Sequence, residues 1–223
     1  MNALVIQATY TSIEIGLFAV EEDELYSIAT SVLEKQKSAQ LLSTIDQLLN
    51  RGGCSLADIS FCAVNRGPAP FTTLRTVIAT VNGLKAVTPI KLIGVDGLAV
   101  LAEEYKDEQS FIFVSNAFAG DLYFYTPTTP EHTGYAATET VIETIVKNNI
   151  KKIAGNGSSV IEKYISDHAI KTSPVSYVDI EKGTPQLSTI AQYAHRLWKK
   201  DNANCLFNTF VQPLYLKEYA LFK

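Results

Sequence analysis

Residues 65–75 read NRGPAPFTTLR, between the apolar run FCAV (61–64) and TVIATVNGLKAV (76–87). A glycine, two prolines and a threonine pair stand where a strand hands over to a helix. That step belongs to an α/β layer, and α/β proteins often hold phosphate there, because free N–H groups and the helix dipole favour an anion. Here two of the four GPAP residues are prolines, which have no N–H to offer. Ala69 and Thr73 also lack the freedom of glycine. What remains is helix-start chemistry, with proline near the first turn and Thr72 as a candidate cap. The helix that follows carries Leu74, Val77, Ile78, Val81 and Leu84. Thr76, Ala79, Thr80 and Gly83 are interleaved with them, small enough for a second helix to approach closely.

Outward from this loop the pattern is α/β with a mixed sheet. ALVIQA, SIEIGLFAV and ELYSIATSV read as three strands of a β-meander. Ile13, Ile15 and Leu17 alternate as in a half-buried strand, and the acidic EEDE (21–24) makes a tight connection. SAQLLSTIDQLLNRGG has the helical period, with Ser38 as cap, Leu41, Leu42, Ile45, Leu48 and Leu49 as a broad stripe, and Gly52-Gly53 as its end. SLADIS leads into the strand before the opening loop. After the loop helix, IKLIGV is a strand and Asp96 caps the helix GLAVLAEEY.

A second unit begins near Tyr105–Gln109. FIFVSN and DLYFYTP flank the turn AFAG, TETVIETIVKNN is a helix, and KKIAG a short strand. GNGSSVIEKYISD is a glycine turn into a helix, and YVDI a strand. The helix LSTIAQYAHRLWKK closes this unit with Ile190, Ala194, Leu197 and Trp198 inward. QPLYLKEYA returns to the first layer as an edge segment. The expected lobes are therefore 1–106 plus about 205–223, and about 107–204.

The chain has 223 residues, 47% hydrophobic and 19% charged. Its apolar start, Met1 to Val5, is too short and uncharged for a signal segment, so a cytoplasmic chain with no membrane span is expected. Cys54, Cys62 and Cys205 have no zinc or disulfide spacing and read as reduced thiols. A net charge of −4 and a pI near 5.4 argue against a self-sufficient nucleic-acid surface. The only basic clusters, Lys151-Lys152 and Lys199-Lys200, are too short for a footprint.

Metal-phosphate chemistry in this kind of layer wants a carboxylate at the end of the first strand. That place holds Gln7, and the corresponding place in the second unit holds Asn116. Asp96 reads as a cap and Asp121 as turn chemistry. His132, His168 and His195 have no partner at metal-ligand spacing. GNG (155–157) reads as a tight turn needing positive φ.

NRGPAPFTTLR resembles the GPGSFTGLR signature of the TsaB (YeaZ) family, the scaffold subunit of the bacterial machinery that makes threonylcarbamoyladenosine beside the tRNA anticodon. The signature residues here are Gly67, Pro68, Phe71, Thr72 and Arg75. VIQATYTSIEIGLF, SLADIS, LIGVDGLAVLA, AFAGDLYF and QPLYLK resemble further family segments in the same order, covering nearly the whole chain.

The resemblance implies two related lobes of the actin, sugar-kinase and chaperone-like fold with mixed sheets, and no turnover of substrate. It implies pairing with a TsaD-like catalytic subunit and a TsaE-like ATPase, with tRNA contacted only indirectly and no cofactor or metal. It also implies a homodimer when the chain is alone, through helices at about Ser38–Asn50 and Thr72–Val87. The interface residues would be Leu41, Leu42, Ile45, Thr73, Thr76, Val77, Thr80 and Val81. The bland reading is that Leu41, Ile45, Val77 and Val81 are simply core. This chain departs from the family at Gln7 and Asn116, where the family has Asp, and at Ala69 and Thr73, where it has glycine. It departs also at Pro70, for Ser, and Phe118, for Arg. Each change removes an acid, a cation or backbone freedom. The alternative is a divergent nucleotide-dependent phosphotransferase of the same superfamily. A glycoprotease-like metallopeptidase has too few histidines to be built.

Overall fold

The computed structural model describes residues 1–21, 24–108, 110–117, 119–127, 134–178, 183–201 and 210–215. Cys205, His132 and Phe118, and residues 22–23 of the acidic connection, lie outside the described residues. The chain divides into two units, one of Met1–Val100 with Pro185–Leu214, the other built on Leu101–Thr184.

The first unit opens with β1 (Asn2–Ala8), β2 (Ser12–Glu21) and β3 (Glu24–Glu34), paired antiparallel in sequence. β4 (Ile59–Asn65) and β5 (Lys91–Val95) add on the other side of β1, both parallel, giving the order β3-β2-β1-β4-β5. α1 (Leu41–Arg51) and α2 (Phe71–Val87) are the crossovers. Leu41, Ile45 and Leu48 of α1 and Leu74, Val77 and Val81 of α2 pack on one sheet face with Leu4, Ile6, Ile13, Ile15 and Leu17.

Two expected caps are not used. Ser38 sits within a 3-10 turn, Lys35–Gln40, and α1 starts behind Gln40 with no side-chain cap. Instead Ser43 Oγ and Thr44 Oγ1 donate back to the Gln40 carbonyl at 2.8 and 2.9 Å. Thr72 lies inside α2, whose cap position is Pro70, because the proline sets the chain direction one residue before the helix. The other local signals hold. Gly52 and Gly53, the latter at φ +66°, end α1, and Asp96 Oδ1 accepts from the Leu98 N–H at 2.8 Å.

β2 is buried on both faces rather than half-buried. The cause is α6 (Leu187–Asp201), which the sequence pattern assigns to the second unit. Its Ile190, Ala191 and Ala194 pack with Ala3, Val5, Phe18, Phe61 and Ile93 on the other face of the first sheet. Trp198 lies against Phe61, with ring centroids 5.4 Å apart. A sheet covered on both faces has no polar face to alternate with. The segment at 210–214 also belongs to the first unit, as irregular chain and not as a strand, while residues 216–220 of QPLYLKEYA lie outside the described residues. Asn82 of α2 exchanges two bonds with the Val211 backbone, at 2.8 and 2.9 Å.

The second unit repeats the plan. β6 (Phe111–Asn116), β7 (Asp121–Tyr125) and β8 (Gly134–Ala137) pair antiparallel; β9 (Lys152–Ala154) and β10 (Ser176–Val178) add parallel beyond β6. The order β10-β9-β6-β7-β8 matches the first sheet strand for strand. α4 (Thr138–Lys147) and α5 (Ser158–Asp167) are its crossovers, and α3 (Gly97–Glu104) follows β5. β8, sequence GYAA, carries no strand signal of its own. Across it Tyr135 donates its hydroxyl to the Asp121 carboxylate, so Asp121 ties two strands together rather than shaping a turn. The fold class is mixed α/β, two units each with a five-stranded mixed sheet.

Candidate functional site

Two places in the first unit concentrate the residues that the sequence singles out. One is the end of β1, where an acid would hold a metal. The other is the outer surface of α2 with its entrance loop.

At the end of β1, the β1–β2 register sets Gln7 opposite Glu14, and both are buried. Gln7 Nε2 donates to Glu14 Oε2 and to the Pro185 carbonyl, each at 2.8 Å. Gln7 Oε1 accepts from Asn65 Nδ2 at 3.3 Å. Asn65 Oδ1 in turn accepts from the Gly67 N–H at 2.9 Å. The amide is therefore used at both ends, as a buried amide must be. The turn between the two strands closes on itself as well. The Thr9 N–H donates to the Ser12 carbonyl at 2.8 Å, and the Ser12 N–H to Thr9 Oγ1 at 2.9 Å.

The sequence pattern singles out neither Glu14 nor Asn65. A signal exists: Glu14 shares its side of β2 with Gly16 and Phe18, opposite to Ile13, Ile15 and Leu17. It reads as solvent-facing until α6 is known to cover that side.

The entrance loop spends its polar groups inward. The Arg66 N–H donates to Val95 O at 2.9 Å, the Gly97 N–H to Gly67 O at 2.8 Å, and the Leu214 N–H to Arg66 O at 2.8 Å. Gly67 has φ +123°, and Gly97 approaches so closely that a Cβ would lie 2.7 Å from Asn65 Oδ1. The loop is thus a packed corner with Gly67 and Pro68 buried.

The eight residues proposed for pairing divide by burial. Leu41, Ile45, Thr73, Val77 and Val81 are buried in the first unit. Leu42 is 56% exposed, and Thr76 and Thr80 are half-buried. Thr76 Oγ1 donates to Thr72 O at 3.0 Å and Thr80 Oγ1 to Thr76 O at 2.8 Å, so both hydroxyls are paired within α2. Phe71, Thr72 and Arg75 are exposed at its start, with the Arg75 guanidinium 3.9 Å over the Phe71 ring. Leu42, Phe71, Arg75, Thr76 and Thr80 therefore form the accessible part of the site.

The other acid position, Asn116, ends β6, and its N–H donates to Asn156 Oδ1 at 3.0 Å. Gly155 has φ +105°, and a Cβ there would lie 2.1 Å from Val114 O, so the GNG turn is a close approach of two strands' ends. His168 is exposed and stacked on Tyr164, whereas His195 is buried on α6. No cluster of three metal-ligating side chains occurs among the described residues. Burial pushes the Cys62 thiol up to about 12, and burial also raises that of the partly exposed Cys54.

Known proteins resemble this chain in sequence and in fold. The TsaB protein of Buchnera aphidicola subsp. Schizaphis graminum, a tRNA threonylcarbamoyladenosine biosynthesis protein, is 27% identical over 124 residues, 54% of this chain and 59% of that protein. The Escherichia coli K12 protein of the same name is 29% identical over 98 residues, 44% of this chain and 42% of that one. The chain thus spans about half the length of the curated relatives it matches. The solved structure of YeaZ from Pseudomonas aeruginosa covers 96% of this chain and 99% of its own, at 19% identity and a TM-score of 0.69. A second structure, of an uncharacterized protein from Pseudomonas aeruginosa with similarity to peptidase YEAZ, covers 97% and 99% at 20% identity, with a TM-score of 0.71. The family model for TsaD, tRNA N6-adenosine threonylcarbamoyltransferase, matches residues 28–178, more than half of the chain.

The chain belongs to the TsaD-type family, in its TsaB (YeaZ) group.

The structural likenesses show the fold, the two-unit α/β plan described above. Within this TsaB-type chain the family model spans β3 through β10, and so includes the entrance loop, α2 and the whole second sheet. No helix among the described residues is long and apolar enough to cross a membrane.

Proposed function

We propose that the chain serves tRNA threonylcarbamoyladenosine biosynthesis as a non-catalytic scaffold, pairing with a TsaD-type catalytic subunit that transfers the threonylcarbamoyl group to adenosine. The observation that carries this reading is the end of β1. There, a buried glutamine stands where metal-phosphate chemistry needs an acid, and its amide is held by Glu14, Asn65 and Pro185 O. A neutral group committed to three partners is poorly suited to take part in phosphate or metal binding.

The surface left for work is the outer face of α1 and α2. Those helices carry apolar Leu42 and Phe71 as well as Thr76 and Thr80, whose hydroxyls are already paired. Such a face can be desolvated at small cost. It serves pairing with TsaD, and in the absence of TsaD it serves a homodimer through the first unit. A TsaE-type ATPase joins the assembly. The acidic balance of −4 leaves most tRNA contact to the partner, and the assembly works in the cytoplasm.

The test is mass in solution by light scattering on a sizing column, for the chain alone and mixed with the TsaD subunit of the same genome. The expected result is a dimer that converts on mixing to a one-to-one species or a larger assembly. A monomer that ignores TsaD would remove the scaffold reading.

A further inference from the structure

The second unit carries a groove that none of these roles uses. α4 is striped on two sides. Val141, Ile142 and Ile145 face the core. Glu139, Ile142, Glu143, Val146 and Lys147, at the i, i+3, i+4, i+7, i+8 spacing of one helix face, instead line a groove of about 500 Å³. Ile170 and the Tyr164–His168 pair form its other side. These two rings stack at 4.0 Å between centroids and 14° between planes, and His168 Nδ1 lies 3.0 Å from the Tyr164 carbonyl. The pair is thus a fixed flat wall.

The groove is apolar at its floor and acidic at its rim. Ile142 is buried and Val146 is 46% exposed, a large apolar side chain with nothing over it among the described residues. Among the described residues Glu139 and Glu143 make no ion pair or side-chain hydrogen bond. Lys147 lies in the last turn of α4, where the helix dipole favours a cation. The three rim charges therefore sum to −1, and the two carboxylates stand along the length of the groove. From Glu139 to Lys147 α4 rises about 12 Å, two turns of a helix.

We propose that this groove docks a short amphipathic helix of a partner protein, one that sets apolar side chains against Ile142, Val146 and Ile170 and basic ones against Glu139 and Glu143. Length, apolar floor and unpaired acid rim match the helix-in-groove mode. Arginine suits the site better than lysine, since its flat guanidinium can pair with a carboxylate and stack on the Tyr164–His168 wall. The inference uses no residue of the α1–α2 face, so it stands or falls apart from the scaffold reading.

The test uses the full chain and two synthetic three-turn helical peptides, alike in their leucine stripe, one flanked by arginine and the other by glutamate. Binding is read by titration calorimetry and by methyl NMR shifts at Ile142, Val146 and Ile170. The arginine peptide is expected to bind at least about tenfold more tightly than the glutamate peptide. Double reversal, Glu139→Lys with Glu143→Lys, should invert that preference, and Val146→Asp should weaken the arginine peptide by about tenfold or more. All three positions are exposed, and the two-peptide comparison on the unaltered chain needs no variant to fold. Equal affinity for the two peptides, or no binding of the arginine peptide at millimolar concentration, overturns the proposal. So does n-butylguanidinium moving the same methyls as tightly as the peptide, which would make this a small-cation site. Self-association abolished by Val146→Asp would make the occupant a second copy, and also overturns it.

Discussion

Gln7 and Glu14 face each other across the β1–β2 ladder, joined by a 2.8 Å hydrogen bond and buried together. The pair puts a carboxylate beside the place where metal-phosphate chemistry would need an acid, but on the neighbouring strand and already engaged. Replacing the amide with an acid, Gln7→Asp, would set two carboxylates together and take the Gln7 donor away from Glu14 and Pro185 O. A lost buried hydrogen bond costs about 1–3 kcal/mol, and more beside a charge, so a loss of more than about 2 kcal/mol at neutral pH is expected. Like charges raise one carboxyl pKa, and the loss should shrink as pH falls through the acid range. Glu14→Gln keeps an acceptor and should cost about 1 kcal/mol or less. Urea unfolding of both variants checks this. A Gln7→Asp chain as stable as the parent would mean that the strand end is open and could still take a cation.

The same strand end predicts the ligand behaviour. With Gln7 and Asn65 tied to each other and the Thr9–Ser12 turn closed, titration calorimetry with Mg²⁺-ATP should show no binding below millimolar concentration. Submillimolar binding would revive the phosphotransferase alternative.

Much of the first unit is legible in the sequence because its signals are local. The alternation of Ile13, Ile15 and Leu17, the Asp96 cap and the Gly52-Gly53 exit each depend on a few adjacent residues. What escapes depends on distant ones. Ile190 and Ala194 show that α6 is amphipathic, yet nothing local says that its sheet lies about 130 residues earlier in the chain, against Phe61. That placement decides whether Glu14 is solvent-facing or buried, so the candidate site inherits the error. Ser38 and Thr72 are sound cap residues that lost to a 3-10 turn and to a proline one or two positions away. β8 is strand by pairing with β7, not by composition.

The GNG turn offers a stability test with an internal control. At Gly155 a Cβ would meet Val114 O at 2.1 Å and the backbone has φ +105°, so Gly155→Ala should cost several kcal/mol or prevent folding. At Gly83, inside α2, a Cβ meets nothing within 4 Å. Gly83→Ala should therefore stabilise the unpaired chain by about 0.5–1 kcal/mol. Thermal melting compares the two; similar shifts for both would refute the close approach at Gly155.

Thr76 and Thr80 of the same helix bear on pairing. Thr76→Asp or Thr80→Lys should leave the chain folded, because both positions are half-buried at the helix surface, and should abolish association on a sizing column. Val77→Asp, one residue from Thr76 and three from Thr80 yet fully buried, should instead unfold the chain, since an unpaired buried charge is costly. Dimers or TsaD complexes of normal mass from the two threonine variants would move the interface elsewhere.

Cys62 supplies a dependence on alkaline pH. Its thiol rises by burial from 9.0 to about 12, so between those values the folded chain keeps a proton that the unfolded chain releases. Stability is then intact below about pH 9 and falls as pH rises towards 12, by up to about 1.4 kcal/mol per pH unit from this one group. Cys62→Ala removes the term and leaves a small cavity, so its unfolding free energy should start lower at pH 8 and decline less steeply above pH 9. Equal slopes in the two chains would mean that the thiol reaches solvent without unfolding. Thiol labelling gives the independent reading: in the folded chain, the partly exposed Cys54 should react well before Cys62.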